Sequence, residues 1–317
     1  MRAVVQDALG GPEVLRVAEV PRPEPLPTEV LVRVHAAGIN PVDWKTRQGG
    51  GMAGVLGEPP FTLGWDVSGV VEEVGFGVTT LAPGDEVYGM PWFPRQAGGY
   101  AEFVTAPARQ FARKPATLSH EEAAAVPLAA LTAWQIVVDT AHVTAGQRVL
   151  VHAAAGGVGH FAVQFARHLG ARVVGTARES RHAWLGRLGA AELVDYTAQR
   201  FEDRVEDVDV VIDLLGEEHD ATSTRSLRVL RKGGLLVAVP SGVSPEVRQA
   251  ADARGMRTSA FLVEPDGAAL TTIAALIDKG EVAVAVEEVF PLEEAARAHR
   301  QGEDGHTRGK LVLRVGA

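Results

Sequence analysis

The sequence predicts an α/β fold in which a doubly wound parallel sheet stands beside a β-rich, barrel-like region. Three observations carry that prediction. The segment Gln147–Gly170, QRVLVHAAAGGVGHFAVQFARHLG, passes from an apolar strand through a glycine turn into an amphipathic helix. From about 123 to 264 apolar strands alternate with helical stretches, as in a parallel sheet covered on both faces. Before that, short strands are parted by Pro and Gly clusters, as in a small barrel.

The β-rich region opens with strands at Arg2–Gln6, Leu15–Val20 and Val30–Ala36, then Ser68–Val74, Glu86–Tyr88 and Tyr100–Thr105. Clusters at Pro21–Pro27, Gly49–Gly54, Pro59–Pro60 and Pro91–Pro94 separate them, and Gly49–Pro60 reads as a mobile loop. Ser119 followed by Glu122 makes a capping box, so a helix is expected over Ser119–Val138. Strands Arg148–Ala153 and Arg172–Thr176 flank the helix of the glycine-turn segment. Next come a helix near Arg181–Leu188, strands Glu192–Asp195 and Val208–Leu215, a helix near Ala221–Leu230, and strands Leu235–Val239 and Arg257–Val263. A helix over Gly267–Lys279 leads into a last β-type section, Val282–Val315, whose GKLVLRV returns most simply to the first domain. The expected domains are 1–122 with 265–317, and 123–264.

In the glycine-turn segment, Val158, Phe161, Ala162, Phe165, Ala166 and Leu169 fall on one apolar helix face. Strand, glycine turn and helix together present backbone N–H groups and a helix dipole to a pyrophosphate. The pattern is Ala154-x-Gly156-x-x-Gly159, with alanine in the first glycine slot. Ala154, Gly156, Gly157 and Val158 are the expected phosphate contacts; Gly159 permits close packing of helix on strand. Where the next strand ends, a dinucleotide fold usually places an acidic residue on the adenosine ribose. This chain has Thr176, Ala177 and Arg178, with Arg181 just beyond. Small residues leave room for a 2′-phosphate and arginine binds it with charged hydrogen bonds, so the expected cofactor is NADPH. In the competing reading Arg178 and Arg181 are solvated surface charges, and Glu179 holds a ribose instead. Tyr196 either reaches the 2′-phosphate or bridges core and water.

The 317 residues carry a net charge of −9 and are 46% hydrophobic, enough for one large or two medium domains. The acidic balance argues against nucleic acid or an anionic membrane as partner. There is no cysteine, which excludes disulfides and thiolate metal sites. MRAVVQDALGG reads as an amphipathic strand rather than a signal peptide, and no apolar run is long enough to span a bilayer. A cytoplasmic protein is expected.

Several motifs then point the same way: GGPEVLRV at 10–17, AAGINPVDWKTRQG at 36–49, GWDVSGVVEEVG at 64–75, GDEVYG at 84–89, AAAGGVG at 153–159, LGAAELVDY at 188–196, VVIDLLG at 210–216, KGGLLVAVPSG at 232–242 and GHTRGKLVL at 305–313. Nearly end to end, the chain resembles the zinc-less medium-chain dehydrogenase/reductase family, of the NADPH quinone oxidoreductase type. That resemblance implies a Rossmann domain inserted in a GroES-like β-barrel domain. Zinc relatives hold their metal with a Cys in the loop matching Gly38–Asp43 and a His-Glu matching Trp65–Asp66; this chain has Asn40 and Trp65-Asp66 there. No metal is expected.

The resemblance also implies site residues. Asn40, Pro41 and Asp43 lie in a turn expected to face the nicotinamide, Asn40 donating to cofactor or substrate oxygen; the alternative is turn side chains bonding their own backbone. Lys45 would place charge near an enolate, or is solvated. Thr132 matches a hydroxyl position near the nicotinamide, or bonds back to its own helix. Leu214 to Gly216, Val239, Pro240 and Ser241, and Phe261, Leu262 and Val263 lie at strand C-termini, where such sheets bind ligands. Arg308 and Lys310 match a segment returning to the cofactor.

Zinc stabilises alkoxide charge in alcohol chemistry. Without it, conjugated acceptors are favoured, because hydride addition leaves negative charge on a delocalised oxygen that a few donors can stabilise. The expected activity is NADPH-dependent reduction of a quinone or other conjugated carbonyl. Two alternatives stay open: an NADPH-binding redox sensor or structural protein without significant turnover, kept alive by the lack of an obligatory general acid, and an NAD-dependent alcohol dehydrogenase. Strand Arg257–Val263 reads as an apolar sheet edge that a second copy would cover, so a homodimer is expected.

Overall fold

The computed structural model describes residues 1–240 and 242–316. The chain divides into two compact units, one of Met1–Leu131, Glu264–Gly280 and Val284–Ala317, the other of Thr132–Val263 and Glu281–Ala283. The sequence places the first switch at 122/123; the structure's units part at 131/132.

The first unit begins with β1 (Arg2–Gln6), β2 (Leu15–Glu19), β3 (Glu29–Ile39), α1 (Pro41–Arg47), α2 (Ala53–Leu56), β4 (Phe61–Thr62), β5 (Asp66–Val74), β6 (Glu86–Gly89), β7 (Phe103–Pro107), β8 (Phe111–Arg113) and α3 (His120–Ala124). Helix α4 (Pro127–Trp134) and a π-helical stretch over Gln135–Thr140 carry the chain onward. The single helix expected over Ser119–Val138 is therefore broken. Its capping box does form, with Glu122 N donating to Ser119 Oγ at 3.2 Å, but Pro127 has no N–H to continue the ladder. Helix α2 falls inside the stretch expected to be loop.

In the second unit β9 (Arg148–Val151), α5 (Gly157–His168), β10 (Arg172–Thr176), α6 (His182–Leu188), β11 (Ala190–Val194), β12 (Val208–Asp213), α7 (Thr222–Ser226), β13 (Leu230–Ala238), α8 (Pro245–Asp252) and β14 (Arg257–Ala260) follow one another. Helix α7 is shorter than expected and Leu230 already begins a strand. Its Thr and Ser side chains compete for backbone groups, Ser226 Oγ donating to Thr222 O at 2.7 Å. The chain then returns to the first unit through α9 (Gly267–Asp278), β15 (Val286–Pro291), α10 (Ala295–Glu303) and β16 (Lys310–Arg314). Helix α10 interrupts a section expected to be all β. Its signal is in the sequence, since the buried Ala295, Ala298, His299 and Gly302 fall at helical spacing.

The second unit's sheet has the order β11-β10-β9-β12-β13-β14, all parallel. Strand order thus reverses beside β9, the arrangement that opens a crevice at the strand C-termini. Leu150, Val174, Val211 and Leu236 are fully buried in one of its cores. Helix α5 buries Phe161, Ala162, Phe165 and Ala166, and also Val163 and Gln164, so it is covered more widely than its apolar stripe suggests. In the first unit the sheet β15-β16-β3-β5-β6-β8, with β7 also on β3, surrounds a core that includes Val32, Val34, Val67 and Leu313. A smaller sheet has the order β2-β1-β4. The closing GKLVLRV does pair with the N-terminal region, β16 running antiparallel to β3.

Candidate active site

The cofactor-type turn is built almost wholly from backbone. After β9, Ala153 takes φ +49°, a left-handed conformation uncommon for alanine. Gly156 N donates to Ala153 O at 2.9 Å and Ala154 N to Thr176 O at 3.1 Å. A Cβ on Gly159 would lie 2.3 Å from Ala153 O and 2.8 Å from Ala154 Cα, so only glycine fits. Gly156 caps the twelve-residue α5 with no side chain. The first-turn N–H groups therefore meet no cap side chain of their own, the condition for binding an anion there. This cradle fits a dinucleotide pyrophosphate.

The other expected contacts of this unit differ in burial and in partners. Thr176 and Ala177 are buried, at 2% and 3% exposure, and Ala177 N donates to Val194 O at 3.1 Å. Arg178 is exposed, and its Nε donates to the Tyr196 hydroxyl at 3.1 Å. Two side chains expected at the 2′-phosphate thus meet each other. Arg181 is half-buried at the start of α6. Fully buried Asp213 ends β12, and its Oδ1 accepts from both Leu215 N and Gly216 N at 2.9 Å. Leu214 is half-buried, and Gly216 has φ +85°. Val239 and Pro240 are half-buried; Ser241 lies outside the described residues. Phe261 is half-buried, Leu262 is 55% exposed and Val263 is 6% exposed. Thr132 is 2% exposed on α4.

The other candidate cluster lies inside the first unit and is made of side chains. Asn40 caps α1, and its backbone N donates to Asp43 Oδ2 at 2.6 Å. The Asn40 amide does not reach outward. Its Nδ2 donates to Asp66 Oδ2 at 2.8 Å, and its Oδ1 accepts from Lys310 Nζ. Lys310 Nζ also donates to Ile39 O at 2.6 Å and stands 3.5 Å from Asp66 Oδ2. Leu128 N donates to Asp66 Oδ1 at 2.7 Å. Asn40, Asp43, Asp66 and Lys310 are all at most 3% exposed. The close fit extends to the backbone: a Cβ on Gly38 would lie 2.2 Å from Ala124 O and 2.9 Å from Asp66 Cβ. Asp66, Tyr100, His299 and Arg47 extend the cluster beyond the expected residues.

Burial sets the electrostatics here. It pushes the Asp43 carboxyl up to about 7, against the Asn40 hydrogen bond and Lys310, which pull it down. Burial likewise raises Asp66 and lowers Lys310, each opposed by the attraction of the other. Tyr100 is raised well above its ordinary value by burial and by Asp43. His299 is lowered to about 3 by burial and by Arg47. The Tyr100 hydroxyl lies 3.3 Å from His299 Nε2, and His299 Nδ1 lies 3.1 Å from Arg47 Nη1. Arg47 Nη2 then donates to Glu303 at 2.6 Å. Pro41, at the first position of α1, and Lys45 farther along it are exposed, while Arg308 is half-buried with its N donating to Glu287 Oε2 at 2.6 Å.

Residues 26–116 match the alcohol dehydrogenase GroES-like domain and residues 188–313 the zinc-binding dehydrogenase domain. A solved quinone oxidoreductase from Coxiella burnetii is 37% identical, with a TM-score of 0.94 over 100% of this chain and 99% of its own. The chain belongs to the medium-chain dehydrogenase/reductase family. Within that family it is 35% identical to a 2-haloacrylate reductase of Burkholderia, over 99% of this chain and 98% of that protein. A quinone oxidoreductase of Escherichia coli, solved in complex with NADPH, is 28% identical with a TM-score of 0.86, over 99% of this chain and 100% of its own. The sheet order and the GroES-like match make the fold that of a quinone oxidoreductase, a Rossmann sheet with a GroES-like domain.

The zinc in one domain's description does not fit this donor set. Catalytic zinc needs three converging N, S or O ligands. Asp66 is already engaged by an amide, a backbone N–H and the Lys310 ammonium. Among the described residues no group of three or more His, Cys, Asp or Glu is arranged to hold a metal.

Proposed function

We propose that the protein is an NADPH-dependent reductase that works without zinc and delivers hydride to a conjugated carbonyl, a quinone or an activated alkene. The observation that carries this reading is the Lys310 ammonium tied to Asn40 and Asp66, which stand in the two segments that, by the sequence resemblance, carry the zinc ligands in zinc relatives. An ammonium in that space repels a metal ion, and a reductase without a Lewis acid favours acceptors that spread the arriving charge over their own conjugation. Bound NADPH supplies the hydride. The glycine turn and the start of α5 hold its pyrophosphate, and Arg178 with Tyr196 takes the 2′-phosphate. Asp43, pushed up to about 7, stays part-protonated at neutral pH and is the side chain of the cluster able to store a proton there. Lys310 compensates Asp66 and fixes the Asn40 amide.

The test is initial-rate oxidation of NADPH and of NADH against quinones, 2-alkenals, 2-haloacrylates and simple ketones, with and without chelator. Chelator-insensitive turnover of NADPH with the conjugated acceptors is expected. Chelator-sensitive reduction of the simple ketones would overturn it, as would NADPH binding with no turnover.

We also assign the protein to the cytoplasm and to a homodimer formed at β14. That strand is the edge of its sheet, and Leu262 just beyond it is 55% exposed. Sedimentation velocity at micromolar concentration should show a dimer, which a charge at Leu262 should dissociate. No helix among the described residues is long and apolar enough to cross a membrane.

A further inference from the structure

One buried imidazole ties the glycine turn into its unit. His152 directly follows β9, is 1% exposed, and stands edge-on to Phe201 with ring centroids 4.6 Å apart. Its Nδ1 is 3.2 Å from Thr176 Oγ1, and its Nε2 is 3.0 Å from Ser226 Oγ. The neighbours decide which nitrogen bears the hydrogen. Ser226 Oγ donates to Thr222 O at 2.7 Å, and a hydroxyl has a single proton to give. Toward His152, then, Ser226 only accepts. Nε2 carries the hydrogen, Nδ1 is the acceptor, and the Thr176 hydroxyl donates to it. Thr176 Oγ1 in turn accepts Ala153 N–H at 3.3 Å.

The bonds therefore run in one direction: Ala153 N–H to Thr176, Thr176 to His152, His152 to Ser226, Ser226 to the Thr222 carbonyl. They lead from the left-handed residue of the glycine turn to α7. Asp213 fastens the neighbouring loop to the same helix, accepting from Ser223 Oγ at 2.6 Å while holding Leu215 N and Gly216 N. The scheme needs a neutral ring. Burial lowers His152 to about 4, against the upward pull of Asp213, so the ring is neutral at ordinary pH.

We propose that His152, as its neutral Nε2–H tautomer, is a positioning residue for the cofactor. Through Thr176 it fixes the Ala153 conformation from which Gly156 and the start of α5 present their N–H groups to the pyrophosphate. This rests on the NADPH reading above.

Two measurements test it. In the first, the imidazole nitrogens of ¹⁵N-labelled wild-type protein are assigned by NMR at neutral pH. A single Nε2–H tautomer for His152 is expected; an Nδ1–H tautomer or a mixture overturns the proposal. The second compares His152→Asn, which keeps an acceptor at the Nδ1 position, with His152→Phe, which keeps ring volume but no acceptor. His152→Asn should bind NADPH within about threefold of wild type. His152→Phe should bind about tenfold more weakly with kcat at saturation unchanged. A ring that merely fills space predicts the opposite order, a harmless Phe and a damaging Asn, and that result refutes the role. Wild-type protein that does not bind NADPH would instead defeat the cofactor reading, and the NMR result would still decide the tautomer.

Discussion

The two candidate clusters are built on opposite principles. In the Rossmann unit the candidate phosphate cradle is backbone: a left-handed alanine, a glycine, Gly159, whose Cβ would collide with the Ala153 carbonyl, and a helix start without a side-chain cap. In the GroES-like unit the cluster is charge: two carboxylates, an ammonium and an amide, all at most 3% exposed. Backbone sites fail when space is taken away, since the donors themselves cannot be mutated. Buried charge clusters fail when a partner is removed, since the remaining charge is stranded in low dielectric.

The largest effect should come from stranding a charge. Lys310→Met leaves Asp66 buried without its cation and should lower unfolding free energy by about 3–5 kcal/mol in denaturant titrations. Adding Asp66→Asn should restore most of that; if the single variant is as stable as wild type, the cluster is not held by charge.

The pH dependence of Asp43 sharpens the same point. Its folded pKa, about 7, lies above the ordinary carboxylate value of 3.8. Between those values the native state binds the extra proton, so Asp43 contributes a stability that falls as pH rises from about 4 to about 7 and is level above. Asp43→Asn removes this slope, so the variant should gain on wild type across that window. Parallel curves would show that Asp43 is ionised throughout.

On the cofactor side, Arg178→Ala should weaken NADPH binding by about 1.5–3 kcal/mol and leave NADH nearly unchanged, measured by titration calorimetry. Equal losses would remove Arg178 from the 2′-phosphate. The smallest effect is expected for Tyr196→Phe, which removes the hydroxyl facing Arg178 Nε at 3.1 Å. A loss of about 1 kcal/mol, confined to NADPH, is expected in the same titration.

The contrast also explains what could be read from the chain. Arg2–Gln6 and Arg172–Thr176 form strands with the bounds their residues predict, because a run of Val beside turn residues is local information. The glycine turn is local too, each of its constraints lying within a few residues. The charge cluster is not. Asn40, Asp66 and Lys310 are far apart in sequence and come together only because β16 pairs with β3 and β3 with β5. Asp66 stands in an apolar strand with no neighbour to announce its partner. His152 flanks the glycine turn in sequence, but its role cannot be read there, since Thr176 and Ser226 reach it from β10 and α7. Helix α10 shows the reverse: its spacing is legible, but the strands around it give the whole section a β character.

Quinones and enals are electrophiles that alkylate the proteins they meet, thiolates first and then neutral imidazoles and amines. This chain offers no thiol. His152 and His299, whose rings burial keeps neutral, are 1% and 0% exposed, and the Lys310 amine is locked as a hydrogen-bonded cation at 3%. Inside the two clusters the side chains such reagents attack are thus absent or out of reach, which leaves exposed groups such as the Lys45 amine on α1 to be alkylated in their place.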